Sequence, residues 1–256
     1  MALNILLIAR GQSLFGPSTP WGAFLAMGLL NNALPFSLLF WGQTQMTSGL
    51  AAILNATTQL FTAVVAHFFT SDEKLTGAKV MALAAGFAGV VFLVGPDFRA
   101  GARSGIAGQV ACLGAALSYA FAGIYGRRFR TMGVAPLEAA AGQVTASTLL
   151  ILPIMLIVDR PWLLPAPPPL EVWAALAGLS LLSTAMAYVL YFRILAAAGA
   201  TNLLLVTFLI PVTAILLGAA FLGERPEPRH FLAMGFIAAG LALIDGRLWR
   251  LARPAK

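Results

Sequence analysis

From Trp173 to Gly223 the chain runs for about 50 residues with a single charge, Arg193. A bilayer core about 30 Å thick is crossed by roughly 20 apolar residues in a helix, so this run holds two crossings and must turn within itself. The turn is expected at AAAGATN, from Ala196 to Asn202, where a glycine and an asparagine interrupt the apolar residues.

The rest of the sequence follows the same rule. Of 256 residues, 60% are hydrophobic and 10% are charged, and the mean hydropathy is +0.88, whereas soluble domains carry about 25% charged residues. That is too little charge to clothe a water-soluble surface. The net charge of +7 does not point to nucleic acid, because the sixteen basic residues sit in short clusters between apolar runs and form no basic stripe. A single cysteine, Cys112, rules out an internal disulfide framework. The N-terminus, MALNILLIARGQ, has neither a basic leader nor a small-residue cleavage site, so it does not read as a signal peptide.

Cutting the chain at charges, Pro/Gly clusters and polar turns predicts eight spans: 21–42, 47–69, 76–94, 104–125, 136–158, 170–194, 201–222 and 229–248. With the tail GRLWRLARPAK inside, eleven basic residues, Arg127, Arg128 and Arg130 among them, fall on the cytoplasmic side and five on the other. The positive-inside bias therefore predicts a multi-pass protein of the cytoplasmic membrane with a cytoplasmic C-terminus.

The chain also repeats itself. WGAFLAMGLLNNALPFSLLF at Trp21 aligns without a gap to WAALAGLSLLSTAMAYVLYF at Trp173, an offset of 152. With one residue dropped, the match continues so that Glu73 meets Glu224, Gly89 meets Gly240 and Gly95 meets Gly246. Residues 21–95 and 173–246 thus read as copies of a three-helix unit. The spans at 104–125 and 136–158 complete the second copy to five helices, and successive five-helix units have opposite orientations in a membrane. On this reading residues 1–97 are a first repeat holding its third to fifth helices, 98–250 a complete second repeat, and 251–256 a cytoplasmic tail. Residues 2–9 align with the end of a second helix, and roughly 50 to 60 residues would be needed to complete the first repeat.

Four segments carry a family likeness: LLNNALPFSLLFWGQTQMTSGLAAILNATTQLFTAVVAHFFTSDEKLT, GFAGVVFLVGP, GAALSYAFAGIYGRRF and ATNLLLVTFLIPVTAILLGAAFLGE. In these the chain resembles the drug/metabolite transporter superfamily, EamA type, over essentially all of residues 1–250. The resemblance implies an all-α membrane fold of ten helices in two inverted five-helix repeats. It also implies gradient-driven export or uptake of small metabolites, amino acids or drugs. Position 59 is Gln where the family usually has Pro, while the other copy keeps Pro211.

Polar side chains inside the spans need partners, and lipid supplies none. Pro35 lacks the N–H that would bond the carbonyl of Asn31, so a kink is expected beside Asn31 and Asn32, near mid-membrane; Pro211 is expected to act likewise four residues after Thr207. Asn55, Thr58, Gln59 and Thr62 share one helical face. A substrate site is predicted from Asn31, Asn32, Asn55, Gln59, Tyr119, Gln143, Tyr188 and Thr207, with packing between helices as the alternative reading of each. The glycines at 86, 89, 95, 235 and 240 predict close helix packing. DEK at 72–74 and GER at 223–225 are read as helix-end and loop charges, with capping of the following helix by the repeated Glu73 and Glu224 as the alternative.

The function expected is a secondary transporter moving a small solute by alternating access, as an exporter; the alternative is an accessory or nonfunctional fragment of one. No span holds a central Asp or Glu, so no carboxylate proton relay is visible; a coupling proton would have to use tyrosine, histidine or residues of the helices missing from the first repeat, and the sequence equally fits a facilitator. Catalytic residues, metal ligands and cofactors are not predicted: there is no H-E-x-x-H, no intramembrane Asp pair and no histidine near Cys112 in sequence. A channel would need a filter loop or a charged ring, and none is evident. The partners expected are membrane lipid and a small-molecule solute, without nucleic acid. Neutral amides, hydroxyls and aromatics favour neutral, zwitterionic or amphipathic solutes.

Overall fold

The structure is a computed structural model that describes residues 2–11, 14, 16, 19–99, 103–163, 166–187, 190 and 206–245. Among these residues every regular element is helical. In chain order they are α1 (Ala2–Ala9), α2 (Trp21–Gly28), α3 (Leu34–Gln43), α4 (Ser48–Ala56), α5 (Thr58–Phe69), α6 (Gly77–Arg99) and α7 (Arg103–Thr131), followed by α8 (Pro136–Ile154), α9 (Leu170–Ser180), α10 (Val206–Leu222) and α11 (Pro228–Asp245). Four stretches are long and apolar enough to cross a membrane: Trp21–Gln43, Ser48–Phe69, Gly105–Thr131 and Pro136–Leu163. Shorter apolar helices cover Lys79–Leu93, Leu170–Thr184 and Ile210–Leu222. A helix lies within each of the eight spans expected from hydropathy. The turn at 196–202, the C-terminal tail, and parts of the spans that flank them lie outside the described residues.

The molecule is inside out by the standard of a soluble protein. Phe40, Trp41, Phe68 and Leu149 are exposed, and Leu170 and Phe221 expose more than four-fifths of their surface. Water would make such a surface prone to aggregation, whereas hydrocarbon is its natural solvent. Because lipid is as apolar as leucine, helix association must come from close packing and hydrogen bonds, not from apolar transfer out of water.

The chain divides into two compact units, residues 1–33 with 126–205, and 34–125 with 206–256. In the first, α1, α2 and α8 enclose Leu3, Leu7, Phe24, Phe129, Leu137 and Ala141. Phe24 is fully buried, with its ring 5.6 Å from that of Phe129. Gly142 makes room for it, since a Cβ there would stand 2.6 Å from the Phe24 ring. At Gly28 a Cβ would come within 2.8 Å of the Gln143 carbonyl oxygen and of the Ser147 nitrogen, so α2 and α8 approach almost backbone to backbone.

In the second unit, Leu50, Ile53, Leu54, Leu60, Leu93, Ile215 and Ile237 form the core. Here α6 packs along α11. A Cβ on Gly89 would lie 2.7 Å from Phe236 Cβ, and one on Gly240 would lie 2.7 Å from the Ala82 carbonyl oxygen. Gly86 receives the Leu60 side chain at 2.7 Å. Close packing therefore accounts for Gly86, Gly89 and Gly240, but a Cβ on Gly235 would meet nothing within 4 Å.

Candidate functional site

The helix through Asn31 and Asn32 does not keep α-helical geometry. Residues Leu29–Ala33 form a π-helical turn directly before Pro35. Proline removes the donor that an α-helix would offer to the carbonyl of Asn31, and the wider turn is the form the expected disruption takes. Proline is not the whole cause, however. A second π turn covers Leu181–Met186, the aligned position of the other copy, where Ala187 stands in place of Pro35. There Thr184 Oγ1 donates to the carbonyl of Leu179 at 3.0 Å, reaching back five residues as the wide turn does. Both sites hold a polar pair, Asn31 and Asn32 in one and Ser183 and Thr184 in the other, whereas a third π turn, Met155–Asp159, has no such pair and follows Pro153. Pro211, by contrast, lies inside the α-helix Val206–Leu222, with no π turn beside it.

The π turn sets Asn31 opposite α8. Its Nδ2 donates to Gln143 Oε1 at 3.2 Å, joining two of the predicted site residues across 112 positions of sequence. Both line a cavity of about 680 Å³, together with Met27, Phe129, Arg130 and Val134. Gln143 lies seven residues beyond Pro136 at the start of α8, so the amide pair stands roughly 10 Å along the helix from that end. Arg130, in the last turn of α7, lies at the end of the unit where α7 gives way to α8. It is exposed, in contrast to the buried Gln143. Adjacent Asn32 is 7% exposed, and its Oδ1 has no hydrogen-bond partner among the described residues. A buried acceptor without a partner is costly and calls for a ligand or water. Sequence reasoning singled out Asn31, Asn32 and Gln143, but read Arg130 only as a charge that orients the chain.

Asn55, Gln59 and Tyr119 belong to the other unit. Near Asn55 the span is interrupted at Thr57, whose amide and hydroxyl both donate to the Leu54 carbonyl, at 3.1 and 2.6 Å. Thr58 and Thr62 also turn their hydroxyls back onto their own helix, to the Asn55 and Thr58 carbonyls. Half of the polar stripe is thereby satisfied locally. Asn55 Oδ1 is buried without a partner among the described residues. Gln59 and Tyr119 are half-buried, and the Tyr119 ring meets Phe36 edge-on at 6.5 Å. Tyr188 lies outside the described residues; Thr207 falls within α10, but its side chain is not described.

Three further polar groups have structural employment. Glu224 does not cap the helix that follows it. Gly223, at φ +66°, ends α10 in the left-handed region open to glycine. The Glu224 carboxylate instead accepts from the Ser48 amide at 2.7 Å, the Ser48 hydroxyl at 2.9 Å and the Gly49 amide at 3.3 Å. Thr47 Oγ1 takes the Leu50 amide, so the first amides of α4 are all satisfied. Burial works to raise the Glu224 pKa, but the bonds from Ser48 and Gly49 outweigh it and hold the carboxyl below its ordinary range. His67 and His230 each accept a backbone amide at Nδ1, from Leu75 at 3.1 Å and from Glu227 at 3.0 Å. Both histidines of the chain thus tie down loops.

Apolar-faced helices, with a cavity among them that carries a few polar groups in a mainly apolar wall, define a polytopic helical membrane protein. The chain matches the EamA-like transporter family over residues 1–95 and 106–245, and it belongs to that family. It is 29% identical to the uncharacterized inner membrane transporter YedA of Escherichia coli K12, over all of this chain and 81% of that one. It is 26% identical to the uncharacterized transporter YoaV of Bacillus subtilis, over 86% of this chain and 74% of the other. A probable terminal-alkyne amino-acid exporter of Streptantibioticus cattleyicolor is 24% identical over 82% of this chain and 68% of its own length. A solved crystal structure of another protein shares the fold with a TM-score of 0.63 at 20% identity, covering 97% of this chain and 84% of that one. The chain is therefore a transporter of small molecules in the cytoplasmic membrane, and not an enzyme.

Proposed function

We propose that the chain is a secondary transporter that exports a small metabolite, amino acid or drug by alternating access between two inverted repeats, with its C-terminus in the cytoplasm. The observation that carries this reading is the 680 Å³ cavity with the Asn31–Gln143 pair in its wall. Its size is that of a small-molecule site, apolar with a few convergent polar groups, and π turns are frequent at functional positions. Asn32, Asn55, Gln59, Tyr119, Tyr188 and Thr207 are the further residues proposed to meet the solute. The repeat draws support from π turns at aligned positions and from the reciprocal packing of Gly89 and Gly240. The export direction draws support from the relative named as an amino-acid exporter.

The test is efflux from cells of a sensitised host, measured with a panel of amino acids, analogues and drugs. Alanine at Asn31 or Gln143 is expected to cut flux at least several-fold while membrane abundance stays unchanged. Full flux in both variants would put the solute path elsewhere, and a wild-type chain that moves nothing would leave it an accessory fragment. Repeating the assay across a pH gradient separates proton coupling from facilitated diffusion.

A further inference from the structure

We propose that Arg130 is a specificity residue that selects solutes bearing a carboxylate, so that the cavity takes small amphipathic organic acids in preference to their neutral or cationic counterparts. The inference rests on the reading of this cavity as a solute chamber. Three features of the chamber combine to support it. Arg130 lines the cavity, and among the described residues its side chain makes no hydrogen bond or ion pair, although Arg127 and Arg128 on the same turn do interact. No lining side chain among the described residues is acidic, so the guanidinium charge is not neutralised from within the wall. In the same wall stands the Asn31–Gln143 pair, which offers neutral amide groups, while Met27, Phe129 and Val134 supply apolar surface.

A guanidinium is a planar fork of donors matched to a carboxylate, and it is less strongly hydrated than an ammonium. A solute that combines a carboxylate, an apolar body and a hydrogen-bonding group matches the groups this wall offers. A cation would meet an unneutralised like charge at the same point. This separates Arg130 from the neighbouring arginines: all of them add to the positive side of the membrane, but Arg130 alone of the three borders the cavity.

The test uses the full chain, purified and reconstituted, with matched probes: phenylalanine against phenylalaninamide, and 3-phenylpropionate against 3-phenylpropylamine. Binding is read as thermal stabilisation in detergent, and flux is read in proteoliposomes. The wild type is expected to be stabilised by the acids at concentrations roughly 10-fold or more below those needed for the amide and amine. Arg130→Gln is expected to abolish that ratio, Arg130→Lys to keep part of it, and Arg127→Gln to leave it intact. Equal folding of the variants is checked by monodispersity and by melting without solute.

A wild type indifferent to the carboxylate, or an Arg130→Gln chain that keeps the preference, overturns the proposal. Flux of neutral or cationic solutes independent of residue 130 would overturn it and leave the transporter reading standing. Carboxylate-selective binding lost in Arg130→Gln, without flux of any probe, would sustain it while removing the transporter reading.

Discussion

Single residues divide into those whose role is local and those whose partner is far away in sequence. Asn31, Asn32 and Gln143 were legible because an amide within an apolar run has no business with lipid. The partner of Glu224 was not, since Ser48 lies 176 positions away and nothing local marks the pairing. Removing that charge by Glu224→Gln is expected to cost about 1 kcal/mol, in the range of a lost helix cap partly screened by solvent, and to lower the melting temperature by a few degrees. The sign with pH follows from the depressed pKa. The contribution is whole above the ordinary carboxylate pKa and is lost as pH falls through the lower folded value. Melting curves should therefore show the wild type losing more stability on acidification than Glu224→Gln does; parallel losses would mean that the carboxylate does not stabilise α4.

At the level of helices, hydropathy located the elements because a membrane demands long apolar segments, whereas the internal geometry of a helix leaves no such trace. The π turn illustrates this: its residues, LLNNA, differ from an α-helical sequence only by two polar side chains. Since the aligned turn forms without proline, Pro35→Ala is expected to keep the π geometry at Leu29–Ala33 in a solved structure of the variant. A regular α-helix there would return the cause to proline. The contact of α6 with α11 makes a second demand. Gly240→Leu would press a side chain toward the Ala82 carbonyl, only 2.7 Å from the position of Cβ. A loss of about 1–3 kcal/mol is expected from such overpacking. Gly235→Leu, which meets open space, should melt like the wild type, and similar losses in both variants would show that the contact is not specific.

For the molecule as a whole, the distribution of basic residues makes a prediction that helix packing does not. A fluorescent protein fused after Lys256 should fluoresce and a periplasm-dependent phosphatase fused there should stay inactive; the reverse pattern would invert every assignment of side. The offset of 152 suggests a division into repeats, whereas the grouping into units 1–33 with 126–205 and 34–125 with 206–256 leaves no such trace in the sequence. Copies of a unit need not pack as separate bodies, and here α6 and α11, equivalent in the alignment, lie against each other. The paired π turns carry this history further. A π turn is an α turn with one surplus residue, which swings the two halves of the helix about 100° relative to an unbroken one. On the proposed reading of two repeats, the same surplus at the aligned place in both would be inherited from one ancestral segment and older than the divergence of LLNNALP from LLSTAMA.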